Sequence, residues 1–262
     1  MFETTRFEAE QRVPGSVVIA VALAIFAAMM TLLAPSFLDE VDMAALVEQF
    51  PRRMVEVLDL EVMATMEGFI ALELYEYVWL LGLGVYLAYS AAGTIAGDVE
   101  TDRLDALLAA PVSRTQILLE KFLALLTPIL IVNVVVLVAV YAGAAFVDKP
   151  IAVPDLVAVH GLSVPYLLFC GAVGMLASVL ARRRLVAEGV AAGAIIGTFI
   201  LQTLTTGTDV EWIGTIAPSQ YYTPVEVLTI SEYDLAGAGI LLAGTVVLLL
   251  VSIAWFREVD VQ

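Results

Sequence analysis

The sequence predicts an all-α integral membrane protein. It has six transmembrane helices, a helix on the cytoplasmic face between spans 2 and 3, and a re-entrant or interfacial segment before span 6. Three observations carry this. Of 262 residues, 61% are hydrophobic and only 15% charged, against roughly 45–50% and about 25% in ordinary globular domains. Mean hydropathy is +0.96. Six apolar stretches reach about 20 residues, the helical length needed to cross a hydrocarbon core of about 30 Å. A water-soluble enzyme, a disordered chain and a nucleic-acid-binding protein are thereby excluded. One cysteine, Cys170, rules out an internal disulfide, and one histidine, His160, rules out a multi-histidine metal centre. There is no Gly-Lys dipeptide, hence no phosphate-binding P-loop. No cofactor or metal site is read in the chain.

The elements follow in order over one domain, 1–262. Residues 1–14 read as a cytoplasmic elbow, since Phe2 and Phe7 punctuate a charged segment. The spans are Ser16–Ala34, Tyr77–Ala96, Phe122–Phe146, Val157–Leu180, Leu185–Thr205 and Leu235–Phe256. With the N-terminus inside, inner segments hold nine Lys and Arg and outer segments three. The triple Arg182–Arg184 is the strongest anchor. The positive-inside rule then puts both termini in the cytoplasm of a cell-membrane protein. In the first outer loop, Met54, Val57, Leu58 and Val62 recur at helical spacing and predict an amphipathic helix. Trp212, Tyr221, Tyr222 and Tyr233, with Pro218 and Pro224, predict short interfacial or re-entrant helices before the last span.

The most informative stretch joins spans 2 and 3. Asp98, Glu100 and Asp102 sit where a helix would start and suit its positive end. Leu104, Leu107 and Leu108 make one apolar stripe, flanked by Arg103. Pro111 ends the element. Ser113 and Gln116 form a capping box that opens the third span, with Arg114 inside it. A short helix held at both ends by spans is a lever: a soluble protein gripping it moves two membrane helices.

The run Ala-Gly-Asp-x-Glu, Leu-Asp-x-Leu-Leu-x-x-Pro-Val-Ser-Arg and Leu-Glu-Lys-Phe over Ala96–Phe122 resembles the signature region of ABC-2 type transport permeases. These are membrane subunits of ATP-binding-cassette transporters. Glu67-Gly68-Phe69 before the second span, the elbow and the six-span plan match as well. The resemblance implies that the inner helix is a coupling helix docking into a separate ATPase subunit. Asp98, Glu100, Arg103, Leu104, Leu107, Leu108, Pro111 and Arg114 would be its coupling residues. ATP and Mg²⁺ would sit on that partner, which supplies the hydrolytic machinery. A second permease copy or a sister permease would complete the assembly in the lipid bilayer, and export is the expected direction. The family commonly has Gly-Thr just before the Leu-Asp pair, whereas this chain has Asp102-Arg103.

Other residues are weighed against plain packing. Gly189, Gly193 and Gly197 make a small-residue stripe, for a dimer face or for packing within the subunit. Gly171, Gly174 and Ser178 read the same way. Pro128 and Asn133 suggest a kinked substrate path, or an amide bonded to a neighbouring helix. His160 and Ser163 invite an intramembrane enzyme, but no oxyanion loop surrounds the serine. A membrane scaffold that docks a partner and moves nothing is the second alternative. Net charge is −16. Outer segments carry 17 acids and three bases, inner segments 11 acids and nine bases. An acidic, lysine-poor outer coat fits a halophile, haloarchaeal-like protein. With the carboxylates in loops, the acidity does not mark a cation pathway.

Overall fold

The computed structural model describes residues 3–40, 47–57, 60–104, 112–181 and 183–258. All described regular structure is helical, and six helices are long and apolar enough to cross a membrane. They are α1 (Glu3–Glu40), α2 (Met66–Glu100), α3 (Arg114–Phe146), α4 (Val153–Leu180), α5 (Arg184–Thr205) and α6 (Leu235–Glu258). The protein is a multi-pass membrane protein. α4 and α2 form the centre: 61% and 50% of their apolar windows are buried, against 22% for α1, α5 and α6. α1 packs on α3, α6 on α4, and α5 on both α2 and α4.

Local chemistry explains the departures from the predicted spans. α1 is one helix of 38 residues with Pro14 and Pro35 inside it, and the described part of the predicted elbow, residues 3–14, continues into the span without a break. Its length is about 57 Å, nearly twice a hydrocarbon core of about 30 Å. α2 begins at Met66, eleven residues before the predicted span. Met66, Phe69, Ile70 and Leu74 are buried at helical spacing, while Glu67, Glu73 and Glu76 are half-buried beside them. Those acids therefore ride on a spanning helix rather than in a loop. Over Ala71–Leu83 the helix widens to π-type turns. Gly68 is forced by a close approach: a Cβ there would lie 1.9 Å from the Val62 carbonyl oxygen.

In α3 the helix breaks at Ala124–Leu125 and restarts at Leu126. Pro128 has no N–H to give the Ala124 carbonyl, and its ring crowds that oxygen. Thr127 N–H donates to Ala124 instead, in a tighter turn of 3.2 Å. Ser113 caps α3, its hydroxyl accepting from Gln116 N–H at 3.1 Å. The reciprocal half of the box is replaced, because the Gln116 amide donates to Glu120 at 2.7 Å.

The first connecting loop holds a short helix, Arg52–Val57. Met54 is exposed on it and Val55 is buried, so the apolar face is shifted from the predicted one. Leu58 lies outside the described residues. Before α6 the chain forms two 3-10 turns, Glu211–Ile216 and Pro218–Tyr221, then a helix, Pro224–Ile230. Ser231 and Tyr233 close this segment by donating to the Asp155 carboxylate at the start of α4. That bond is the main cause holding the Tyr233 phenol above its usual pKa.

Candidate functional site

One end of the bundle gathers the N-terminus, the 101–113 connection, the start of α5 and the end of α6. α2 runs through Asp98 to Glu100, so these acids end a helix rather than begin one. At a negative helix end they need cationic or N–H partners, and they have them. Asp98 lies 2.8 Å from the Lys121 ammonium. Glu100 accepts the backbone N–H of Arg184 at 2.9 Å. Arg184 in turn pairs with Glu188 one turn on, at 2.6 Å.

The chain turns at Asp102, whose φ is 55°. That left-handed conformation is free only to glycine and tolerated by aspartate. It falls on the first position of the Asp102-Arg103 departure. Arg103 is exposed, and Leu104 is 1% exposed. Leu104 packs with Ile95, Leu118, Phe122, Met175 and Phe256 in a second apolar cluster at this end. Leu104 is therefore turned into the bundle and anchors the connection. Leu107, Leu108 and Pro111 lie outside the described residues, as does Arg182. Arg114 donates to the Phe256 carbonyl at 2.9 Å and covers that ring at 5.7 Å, which ties α3 to α6.

The two small-residue stripes have opposite fates. On α4, Tyr166 O–H donates to the Leu80 carbonyl at 2.8 Å. Ser178 Oγ accepts from Ile95 N–H and Ala96 N–H at 2.9 and 3.0 Å. Between those levels, a Cβ on Gly174 would stand 2.1 Å from the Ala88 carbonyl oxygen. This stripe packs inside the subunit. On α5, a Cβ on Gly189, Gly193 or Gly197 would meet nothing within 4 Å. Around those glycines Val186, Val190 and Ile200 are half-exposed.

Asn133 and Pro128 are buried in the interior. The Asn133 amide donates to Ile129 O at 2.8 Å, and its Oδ1 takes the His160 Nδ1 side at 3.0 Å. Tyr75 O–H lies 3.0 Å from His160 Nε2. Trp79 stacks edge-on against the same imidazole, with centroids 5.0 Å apart. Ser163 Oγ shares one hydrogen between His160 O at 2.7 Å and Asn133 Oδ1 at 3.1 Å. Both His160 ring nitrogens are thus occupied by Tyr75 and Asn133, and neither faces the Ser163 hydroxyl as a base. The Asn133 side chain does bond a neighbouring helix, through His160 and Ser163.

At the opposite end a cavity of about 360 Å³ opens between α2, α5 and the 211–226 segment. Glu76, Gln202, Glu211, Ser219 and Glu226 line it. Sequence reasoning missed this cavity and the Lys121 ion pairs. The only sequence signal for the latter is a lysine at the inner edge of an apolar span.

A model of the family described as ABC-2 family transporter protein matches residues 7–261. No curated protein matches the chain.

Proposed function

The chain belongs to the ABC-2 family of transporter membrane proteins, and from that premise we propose that it is the permease subunit of an exporter powered by a separate ATPase subunit. The family match over nearly the whole chain carries the reading. The 101–113 connection supports the rest. It joins α2 and α3, the central helix and the one that holds α1, at the end where Lys121, Arg184 and Arg114 bind the bundle together. The partner docks on this connection, with Arg103, Leu107, Leu108 and Pro111 as its contacts. Asp98, Glu100, Leu104 and Arg114 hold the connection to the membrane helices. ATP and Mg²⁺ belong to the partner, whose nucleotide state shifts the populations of two bundle arrangements. This end is cytoplasmic, and the membrane is the plasma membrane.

A second permease copy or a sister permease covers α5. Gly189, Gly193 and Gly197 support this, because open space over three glycines in register lets another helix backbone come close. The acidic coat of the opposite end is a salt adaptation, which keeps that surface hydrated in brine.

Leu107→Asp tests the docking. A carboxylate placed against an apolar groove costs well over ~1.4 kcal/mol, the equivalent of tenfold in an equilibrium. The purified complex is expected to lose permease-stimulated ATP hydrolysis by at least that factor, with membrane insertion unchanged. Undiminished stimulation contradicts the assignment of the connection. A complex that binds its ATPase tightly but exports nothing is instead a docking scaffold.

A further inference from the structure

We infer that Lys121 is a positioning residue that latches the first turns of α1 to the two helix ends flanking the 101–113 connection. The Lys121 side chain is 3% exposed. Its ammonium stands 2.6 Å from Glu8 of α1 and 2.8 Å from Asp98 near the end of α2. The neighbouring Glu120, 4% exposed, accepts the backbone N–H of Thr5 at 3.1 Å. Thr5 N–H is one of the first donors of α1, which have no intrahelical acceptor, and a carboxylate suits that positive end. Two consecutive α3 residues thus grip α1 at its first turn and again at Glu8.

This grip differs in kind from the Arg6–Glu10 ion pair on the first turns, whose side chains are 82% and 63% exposed. Salt screens such an exposed pair within about 3 Å at 1 M, while a buried pair is screened far less. The latch therefore holds at high ionic strength. Its placement gives it a task. Asp98 lies two residues before the end of α2, and Lys121 lies two turns into α3. On the proposed function, on which this inference rests, a partner that displaces the connection moves both. The latch then carries the displacement to α1, whose outer face stands open at Val18 and Ile25.

The test uses the complex with its ATPase in nanodiscs, on a Cys170→Ala background. Spin labels at Phe7→Cys and Leu119→Cys read the docking of α1 on α3. Labels at Phe7→Cys and Leu185→Cys read its movement when ATP and vanadate are added. The wild type and Lys121→Arg are expected to give one narrow 7–119 distance. Lys121→Met is expected to broaden it and to abolish the nucleotide-driven 7–185 shift, while the partner still hydrolyses ATP. Glu8→Gln, at a less buried side chain, gives the same reading if Lys121→Met does not fold. An unchanged 7–119 distance in the variants overturns the latch, and a 7–185 shift equal to the wild type's overturns the transmission. A wild type with no nucleotide response overturns the proposed function and the transmission with it. The 7–119 distance still decides the latch in that case.

Discussion

Gly174→Val is expected to prevent stable assembly of the bundle. The added Cβ would sit 2.1 Å from the Ala88 carbonyl oxygen and 2.9 Å from the Ala91 Cβ. Carbon atoms pack at roughly 3.5–4.0 Å, and the obstacle is backbone, which no rotamer change can clear. α2 and α4 must separate. The separation strains the bonds on either side, Tyr166 to Leu80 and Ser178 to Ile95 and Ala96. Overpacking costs about 1–3 kcal/mol, and each buried polar group left without a partner about 1–3 more. The total is comparable with the whole stability of a typical domain, about 5–15 kcal/mol. Fluorescence-detected size exclusion of detergent extracts should show a loss of monodisperse protein. Gly193→Val is the matched control. Nothing lies within 4 Å of its Cβ, so the subunit should fold normally and only association between copies should weaken. Equal behaviour of the two variants would show that the α2–α4 approach is not what the fold depends on.

Asn133→Ala has the second largest expected effect. Among the described residues, Asn133 Oδ1 is the one partner of His160 Nδ1, deep between α3 and α4. Without it, one imidazole nitrogen stays dry and unbonded whichever tautomer forms. The penalty for such a group is about 1–3 kcal/mol, somewhat reduced in membrane proteins, where polar contacts average about 0.6 kcal/mol. A loss of about 1–2 kcal/mol is expected in detergent-driven unfolding. Ser163→Ala should cost about 0.5 kcal/mol. That variant removes a hydroxyl whose hydrogen is divided between two acceptors, and it leaves the His160–Asn133 bond whole. If the serine variant proved the costlier of the two, the network would be organised around Ser163 instead.

The spans were legible because a bilayer demands long apolar runs, and nothing else in the chain imitates them. The start of α2 was not, because Glu67, Glu73 and Glu76 lower the local hydropathy while Met66, Phe69, Ile70 and Leu74 still turn inward. That spacing is the sequence signal of the earlier helix start. By sequence alone, Asp98 and Glu100 suit the opening of a helix. Acids between two helices look alike whether they end one or begin the next, and only Lys121 and the Arg184 N–H reveal which. The inward turn of Leu104 is likewise a tertiary fact, since its stripe spacing serves either face. The glycines make the same point. Gly174 on α4 and Gly193 on α5 sit in similar small-residue runs, yet one meets a backbone and the other open space. Asn133 and His160 each stood out alone in an apolar span. Their partnership across 27 residues needed the packing of α3 on α4.

Isolation of the protein from its native membrane in mild detergent, with mass spectrometry and an ATP hydrolysis assay on the same fraction, bears most directly on the proposed role as a permease driven by another chain. The expected result is a stoichiometric P-loop ATPase with vanadate-sensitive hydrolysis, and with Leu107→Asp the loss of permease-stimulated turnover. Isolation of the chain without any ATPase, under conditions that keep its own fold intact, would contradict that role.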